Sequence, residues 1–441
     1  MNVTDGELVI YWFRRDLRLT DNHALYRALV SGGRVQPVFI FDTSILSQIE
    51  NKEDARVTFI HERLSQIQSL LEPCGSSIKT YFGDPKKIWK EILSTYAPKA
   101  VFANRDYEPL ASQRDQEIEN LLSRSNVDFY LFKDQVIFDR AEIVKGDGTP
   151  YTVYTPYKNK WIDKLEQDET QLLVFPSQEQ LDMLYPSKNA LHTLSQIGFT
   201  KSNIEFPPDM ITGNIITHYP NTRDIPGLDK GTSRLGLHLR FGTISIRNLV
   251  SKAYANQDHT FLSELIWREF FMMNLWHFPN MINTAFYKKY DYIVWENDTL
   301  QFEAWCKGKT GYPLVDAGMR ELNATGFMHN RVRMLTASFL CKHLLIDWRW
   351  GEAYFAQKLL DYDQSANVGN WQWAAGCGMD AAPYFRIFNP TLQLKKFDPQ
   401  LIYIKKWVPE FQELTYPQPI VDHSWARERA LVRYKSALSN S

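Results

Sequence analysis

Residues 7–13 (ELVIYWF), the helix-start residues Thr20-Asp21-Asn22 ahead of 23–32 (HALYRALVSG), and residues 35–41 (VQPVFIF) decide the fold of the N-terminal part. Two short apolar runs read as buried strands, and they flank a segment that begins with capping chemistry and ends at Gly33. The alternation continues outward. An amphipathic stretch, 56–71, leads into 78–82; residues 85–96 precede the apolar 100–103; a helix through 111–122 precedes 129–132. Strands separated by helical segments need crossover connections, so they imply parallel βαβ units in a doubly wound sheet. We expect an α/β domain over residues 1–134.

From 135 to 203 the composition shifts toward Pro, Ser, Gln and Gly, and only short helical pieces are expected, at 157–166 and 178–183. We expect a connector of unusual length, a feature that goes with function or docking contacts. From 204 to 441 the pattern turns helical, notably at 261–276, 313–324, 331–346 and 351–360, which predicts an all-α domain. A chain of 441 residues exceeds what one core organises, in keeping with two domains.

Composition narrows the class. Hydrophobic residues make up 44% and charged residues 23%, as in soluble globular proteins. No apolar run is long enough to span a bilayer, and residues 1–7 lack a basic-then-apolar leader pattern, so no membrane partner is expected. Cys74, Cys306, Cys341 and Cys377 are scattered without C-x-x-C spacing, which points to neither a metal site nor a disulfide framework and leads us to expect a reducing, cytoplasmic setting. A net charge of −1 argues against general adhesion to nucleic acid but leaves room for a local basic face. The 13 Trp concentrate between Trp267 and Trp425.

Chemistry is sought in that half. Gly376-Cys-Gly378-Met-Asp-Ala381 matches a dinucleotide fingerprint, but no strand precedes it and the match is rejected. Gly231-Thr232-Ser233-Arg234 offers backbone amides, hydroxyls and a guanidinium suited to an anion, although a capped helix start reads the same way. Glu264, Trp267 and Arg268 share one helix face, which continues apolar through Phe261 and Phe271. Arg331 and Arg333 stand in the first turn of a helix, where the macrodipole disfavours cations, so anions elsewhere must hold them. Asp361 can serve Arg333. His329 reads as structural.

Taken together, TGYPLVDAGMR at 310–320, NRVRMLTASFLCKHLLIDWR at 330–349 and WFRRDLRLTDN at 12–22 resemble the DNA photolyase/cryptochrome family, over nearly the whole chain. The resemblance implies a U-shaped FAD in the helical domain, fully reduced in the active form. Tyr219, Thr232, Ser233, Arg234 and Leu235 would hold its phosphates and ribityl chain, with Phe261 beside them where a tryptophan is common. Arg268, Asn330, Arg333, Asp361 and Asp363 would hold the ring and adenosine parts, and Asn367 would face flavin N5. Trp371, Trp348 and Trp295 match an electron relay from surface to flavin.

The implied substrate is a pyrimidine dimer in UV-damaged DNA, flipped into a pocket of Glu264, Trp267, Asn330, Met334 and Trp373; photolyases are among the base-flipping enzymes. Arg223, Arg268, Arg331, Arg386 and Gln393 would line the DNA face. Asn330 disfavours (6-4) repair, while Trp373 and DAAPYFRIFNP at 380–390 resemble class I cyclobutane pyrimidine dimer (CPD) photolyases rather than DASH-type proteins. The implied activity is light-driven dimer splitting by a monomeric lyase; the rival is a cryptochrome-type photoreceptor or a DASH-type single-strand repair protein on the same scaffold. A second antenna chromophore, folate, deazaflavin or flavin, stays open: Glu108 matches an acid that meets a folate pterin, but Ile282 stands where that group has lysine.

Overall fold

The computed structural model describes residues 6–211 and 213–439. Five strands, β1 (Leu8–Phe13), β2 (Arg34–Asp42), β3 (Lys79–Gly83), β4 (Ala100–Asn104) and β5 (Asp128–Phe132), form one sheet in the order β3-β2-β1-β4-β5. Every pairing is parallel, and Val9 stands opposite both Val35 and Ala100. This is the expected doubly wound sheet. Val9, Tyr11 and Phe13 enter one core with Val35, Phe39 and Phe102, while Ile10 and Trp12 enter a second with Val38, Ile40 and Trp89. A strand buried on both faces has no polar side to show, which is why these strands read as continuous apolar runs.

The helices of this part start where short polar side chains cap them. Asn22, Asp54 and Asp84 accept backbone hydrogen bonds at the starts of His23–Leu29, Ala55–Leu71 and Pro85–Tyr96.

The chain forms two compact units whose limits differ from the expected domain boundaries at 134 and 203. The first takes in residues up to 143 together with 161–209 and 235–255; the second takes in 144–160, 210–234 and the chain from 256 onward. Much of the expected connector is therefore anchored to the sheet. Leu184 bridges to Val35, the Thr80 hydroxyl meets His192 Nδ1 at 2.8 Å, and the Asn189 amide donates to Ser77 Oγ at 2.8 Å. Arg247, in the helix Ile246–Tyr254, donates to Asp21 and Asp134 inside the same unit.

The second unit is helical, as expected. Its main helices are Thr260–His277, Pro313–Thr325, Asn330–Ser338, Trp348–Lys358, Gln364–Ala375 and His423–Ser439. The helix expected over 331–346 is shorter and runs into a single π-helical turn, Phe339–His343. Two glycines let these helices close on one another. A Cβ on Gly351 would lie 2.1 Å from the Trp371 ring, and one on Gly369 would lie 2.2 Å from the Phe271 ring.

Candidate active site

One pocket of the second unit gathers residues from three helices. Asn330, Arg333 and Met334 come from Asn330–Ser338; Asn367, Trp371 and Trp373 from Gln364–Ala375; Asp361 and Asp363 from the segment before it; Phe355 contributes a wall from Trp348–Lys358. About 580 Å³ of space, counted with its open mouth, is free of atoms. Eight residues singled out from the sequence thus face one space. Two of the three lining helices are pinned at their starts by residues singled out from the sequence: His329 Nδ1 accepts from the Arg331 amide, and the Asp363 carboxylate accepts from the Ala366 amide.

The two first-turn arginines have the carboxylate partners their position demands. Arg333 donates to Asp361 at 2.9 Å and Arg331 to Asp224 at 2.7 Å. Arg234 lies 4.7 Å from the Phe327 ring centre and Arg333 5.8 Å from it, so two cations share one ring. Arg234 holds a left-handed backbone (φ +52°), an uncommon setting for a residue with a side chain. Three buried polar atoms here lack a hydrogen-bond partner: Arg234 Nε, Asp361 Oδ1 and His329 Nε2. Burial pushes His329 down to about 4, so it is neutral at physiological pH.

Asn367 is buried and its amide is oriented from behind. Nδ2 donates to the Glu352 backbone carbonyl at 3.1 Å and to Glu352 Oε1 at 2.8 Å, which leaves Oδ1 as the acceptor for a partner in the pocket. Burial raises the Glu352 carboxyl above its ordinary range. Glu352 escaped the sequence reading because nothing local distinguishes it from a helix-surface acid.

The helix Thr260–His277 packs on Gln364–Ala375 and carries a second cluster. Glu264, expected on a shared face with Arg268, pairs instead with Arg223 at 2.7 Å. Burial raises the Glu264 carboxyl, and Arg223 pulls it back. Tyr219 meets Phe261 edge-on at 5.1 Å, and Arg223 lies 5.4 Å from the Tyr219 ring. Trp267 stacks on Tyr154 at 3.7 Å with the planes 8° apart, and the Tyr154 hydroxyl donates to the Ser263 carbonyl at 2.7 Å. Tyr154 was missed because its surroundings read as connector.

The remaining residues are more dispersed. Thr232 and Ser233 are half-buried in the loop that Thr222 Oγ1 braces through the Gly231 carbonyl at 2.8 Å. Leu235 is buried at the start of Gly236–Phe241 and belongs to the first unit. Arg268 is half-buried, Gln393 likewise, and Arg386 is exposed. Trp371 and Trp348 are buried and Trp295 is half-buried. Among the described residues no two of these three are in ring contact: Trp371 packs on Phe355 (5.0 Å) and Trp305 (6.1 Å), and Trp295 on Tyr434 (6.1 Å).

Known proteins bear on this arrangement directly. Residues 9–176 match DNA photolyase, and residues 261–415, which contain the pocket, match the FAD binding domain of DNA photolyase. The deoxyribodipyrimidine photo-lyase of Agrobacterium fabrum is 36% identical over 97% of each chain. The chain belongs to the DNA photolyase family. Solved photolyases share its fold: a bacterial class III photolyase from Agrobacterium tumefaciens (TM-score 0.84, 32% identity, 100% of this chain and 99% of that one) and an archaeal photolyase from Sulfolobus tokodaii with two FAD molecules (TM-score 0.79, 32% identity, 97% and 100%). No helix among the described residues of this photolyase is long and apolar enough to cross a membrane.

The pocket fits FAD on its own terms. Asp361 Oδ1 is an unmet acceptor for a hydroxyl or amine, Asn367 lines a space walled by the rings of Phe355, Tyr362, Trp371 and Trp373, and Arg234 Nε, outside that lining, is an unmet donor suited to an anion. In the first unit, Glu108 is already held by Arg15 at 3.1 Å and by Arg240. That disfavours a folate pterin at this acid.

Proposed function

We propose that this protein repairs cyclobutane pyrimidine dimers in DNA by light-driven electron transfer, as a deoxyribodipyrimidine photo-lyase of the class I branch. The observation that carries the reading is a single pocket shared by residues of both kinds. Asn367, Asp361 and Asp363 suit the flavin, and Asn330, Met334 and Trp373, which line the same pocket, suit an extruded dimer.

When bound, reduced FAD supplies an electron on illumination and recovers it after the dimer splits, so no net oxidation occurs. The chain's residues set the stage for that exchange. Asn367, whose Nδ2 is taken up by Glu352, would hold the flavin through Oδ1 and could accept from a protonated N5, which would favour the reduced form. Trp267, held flat by Tyr154, and Trp373 give the dimer aromatic walls; stacking of this kind is worth roughly 1–3 kcal/mol per base. Asn330 and Glu264 offer hydrogen bonds to pyrimidine edges. Arg268, Arg331, Arg386 and Gln393, with Arg223, bind the backbone. Tyr219, Thr232, Ser233, Arg234, Phe261 and Arg333 complete the cofactor cradle, and Trp371 and Trp348, both buried, with the half-buried Trp295, suit a relay for restoring the reduced flavin.

The reading includes a cytoplasmic monomer, tested by fractionation and sedimentation. The activity test illuminates the reduced protein with dimer-containing DNA and measures recovered thymine. Recovery from duplex DNA is expected. Recovery from single strands alone would move the protein to the DASH-type branch, and no recovery would move it to the photoreceptors. The absorption spectrum of the purified protein reports the flavin and identifies a folate, deazaflavin or flavin antenna.

A further inference from the structure

Arg223 is placed on the DNA face by the reading above, yet its guanidinium is engaged elsewhere. Its Nη1 lies 2.7 Å from Glu264 Oε1, a carboxylate the same reading assigns to the dimer. The side chains are 26% and 31% exposed, so the pair is half-buried and within reach of an incoming strand. Arg223 also leans on the Tyr219 ring, which keeps it in this position. While the pair stands, one oxygen of Glu264 is committed to Arg223, and the carboxylate can present both oxygens to a pyrimidine edge only when the pair opens.

We propose that Arg223 is a lesion-gated phosphate clamp: Glu264 holds it in the free protein and on undamaged DNA, and releases it to a backbone phosphate only when a dimer in the pocket takes Glu264. The inference rests on the proposed DNA repair function. Breaking a half-buried ion pair costs more than breaking a surface pair, because each partner left alone is poorly solvated. A passing phosphate offers Arg223 one partner but leaves Glu264 stranded. A seated dimer and its flanking phosphate offer both partners at once, so the two contacts form together. Burial raises the Glu264 carboxyl, and departure of Arg223 removes the charge that pulls it back.

A neighbouring pair supplies the control. Asp224, the next residue, holds Arg331 through Oδ1, which accepts from Nε at 3.2 Å and Nη2 at 2.7 Å. Asp224 is 43% exposed at its side chain and has no assigned part in dimer recognition. Loss of Asp224 therefore frees Arg331 whether or not a lesion is present.

The experiment measures binding of the FAD-loaded protein, in the dark, to one duplex with and without a single thymine dimer across a salt series. Each added phosphate contact steepens the slope of log affinity against log salt by about 0.9, or roughly a 3.5-fold further loss of affinity over a fourfold rise in salt. For the wild type, the slope is expected to be steeper by about that amount on the dimer duplex. Arg223→Ala should remove the excess slope on dimer DNA and leave undamaged DNA unchanged. Glu264→Gln should raise the slope on undamaged DNA to match. Asp224→Asn should change both slopes equally. Equal losses on both duplexes in Arg223→Ala, or no change on either, would overturn the gate while leaving the repair reading intact. A wild type without preference for the dimer duplex would overturn both.

Discussion

At the residue scale the site is decided by partners that no local pattern announces. The motif residues were legible: Asn330, Arg333, Asp361, Asn367 and Trp373 carry unusual chemistry within short stretches, and they meet in one pocket. Charge position even foretold that Arg331 and Arg333 would need carboxylates, and Asp224 and Asp361 supply them. Glu352 and Tyr154 were not legible, because each acts through one long-range contact, to Asn367 and to Trp267, and neither contact leaves a periodic trace. Tyr154 permits a two-part test. Tyr154→Phe loses only the hydroxyl bond to Ser263 and is expected to lower stability by about 1 kcal/mol, read by denaturant unfolding. Tyr154→Ala loses the stack as well. An aromatic pair contributes roughly 0.5–1.5 kcal/mol beyond its buried area, so dimer-DNA binding is expected to weaken by about 2- to 12-fold. Fluorescence anisotropy in the dark reads it, and unchanged affinity in the Ala variant would remove Tyr154 from the role of positioning Trp267.

At the element scale the strands and most helices followed from the sequence because each carries its own signal. β1 is apolar throughout, β2 is apolar from Pro37 to Phe41, and Asn22, Asp54 and Asp84 mark helix starts. The stretch 161–209 carries little signal of this kind, since isolated apolar residues such as Leu184, Ile197 and Phe199, and bonds to Val35, Ser77 and Thr80, hold it in place without a helical or strand period. Composition marks where the sheet ends, not where the compact unit ends. Close helix approaches were equally silent: Gly351 and Gly369 look like weak points in their helices until the facing rings are known. Replacing a helix-interior glycine by alanine ordinarily adds up to about 1 kcal/mol of stability. At Gly369 the added methyl would strike Phe271, and relief requires a ring shift on the neighbouring helix. Gly369→Ala is expected to destabilise by roughly 1–3 kcal/mol, the usual range for overpacking. Gly351→Ala is expected to displace Trp371 and change its fluorescence. A gain in stability for either variant would show that these helices sit further apart.

For the whole molecule, the response to acid is a sum of opposing parts. Burial holds His23 and His329 down at about 4 and His343 at about 3, so all three are neutral when folded. An unfolded chain takes up these protons near pH 6.5. The stability they confer is therefore complete above pH 6.5 and is lost as pH falls toward 4. Asp316, Glu321 and Glu352 work the other way: burial raises their carboxyls, the folded chain binds protons first, and mild acid favours it. The pH profile of the wild type alone cannot separate the two groups, but a difference profile can. His23 stacks on Phe175 at 3.8 Å, and its Nδ1 meets the Lys133 carbonyl at 3.0 Å. His23→Phe keeps a ring for the stack and removes the titration. The variant loses a hydrogen bond at every pH, a constant offset of about 1 kcal/mol. Below pH 6.5 it should regain ground on the wild type, with a slope approaching about 1.4 kcal/mol per pH unit until the folded histidine itself protonates near pH 4. Parallel unfolding curves for the two proteins from pH 7.5 to 4.5 would show that His23 binds its proton equally well folded and unfolded, and burial would then have no hold on it.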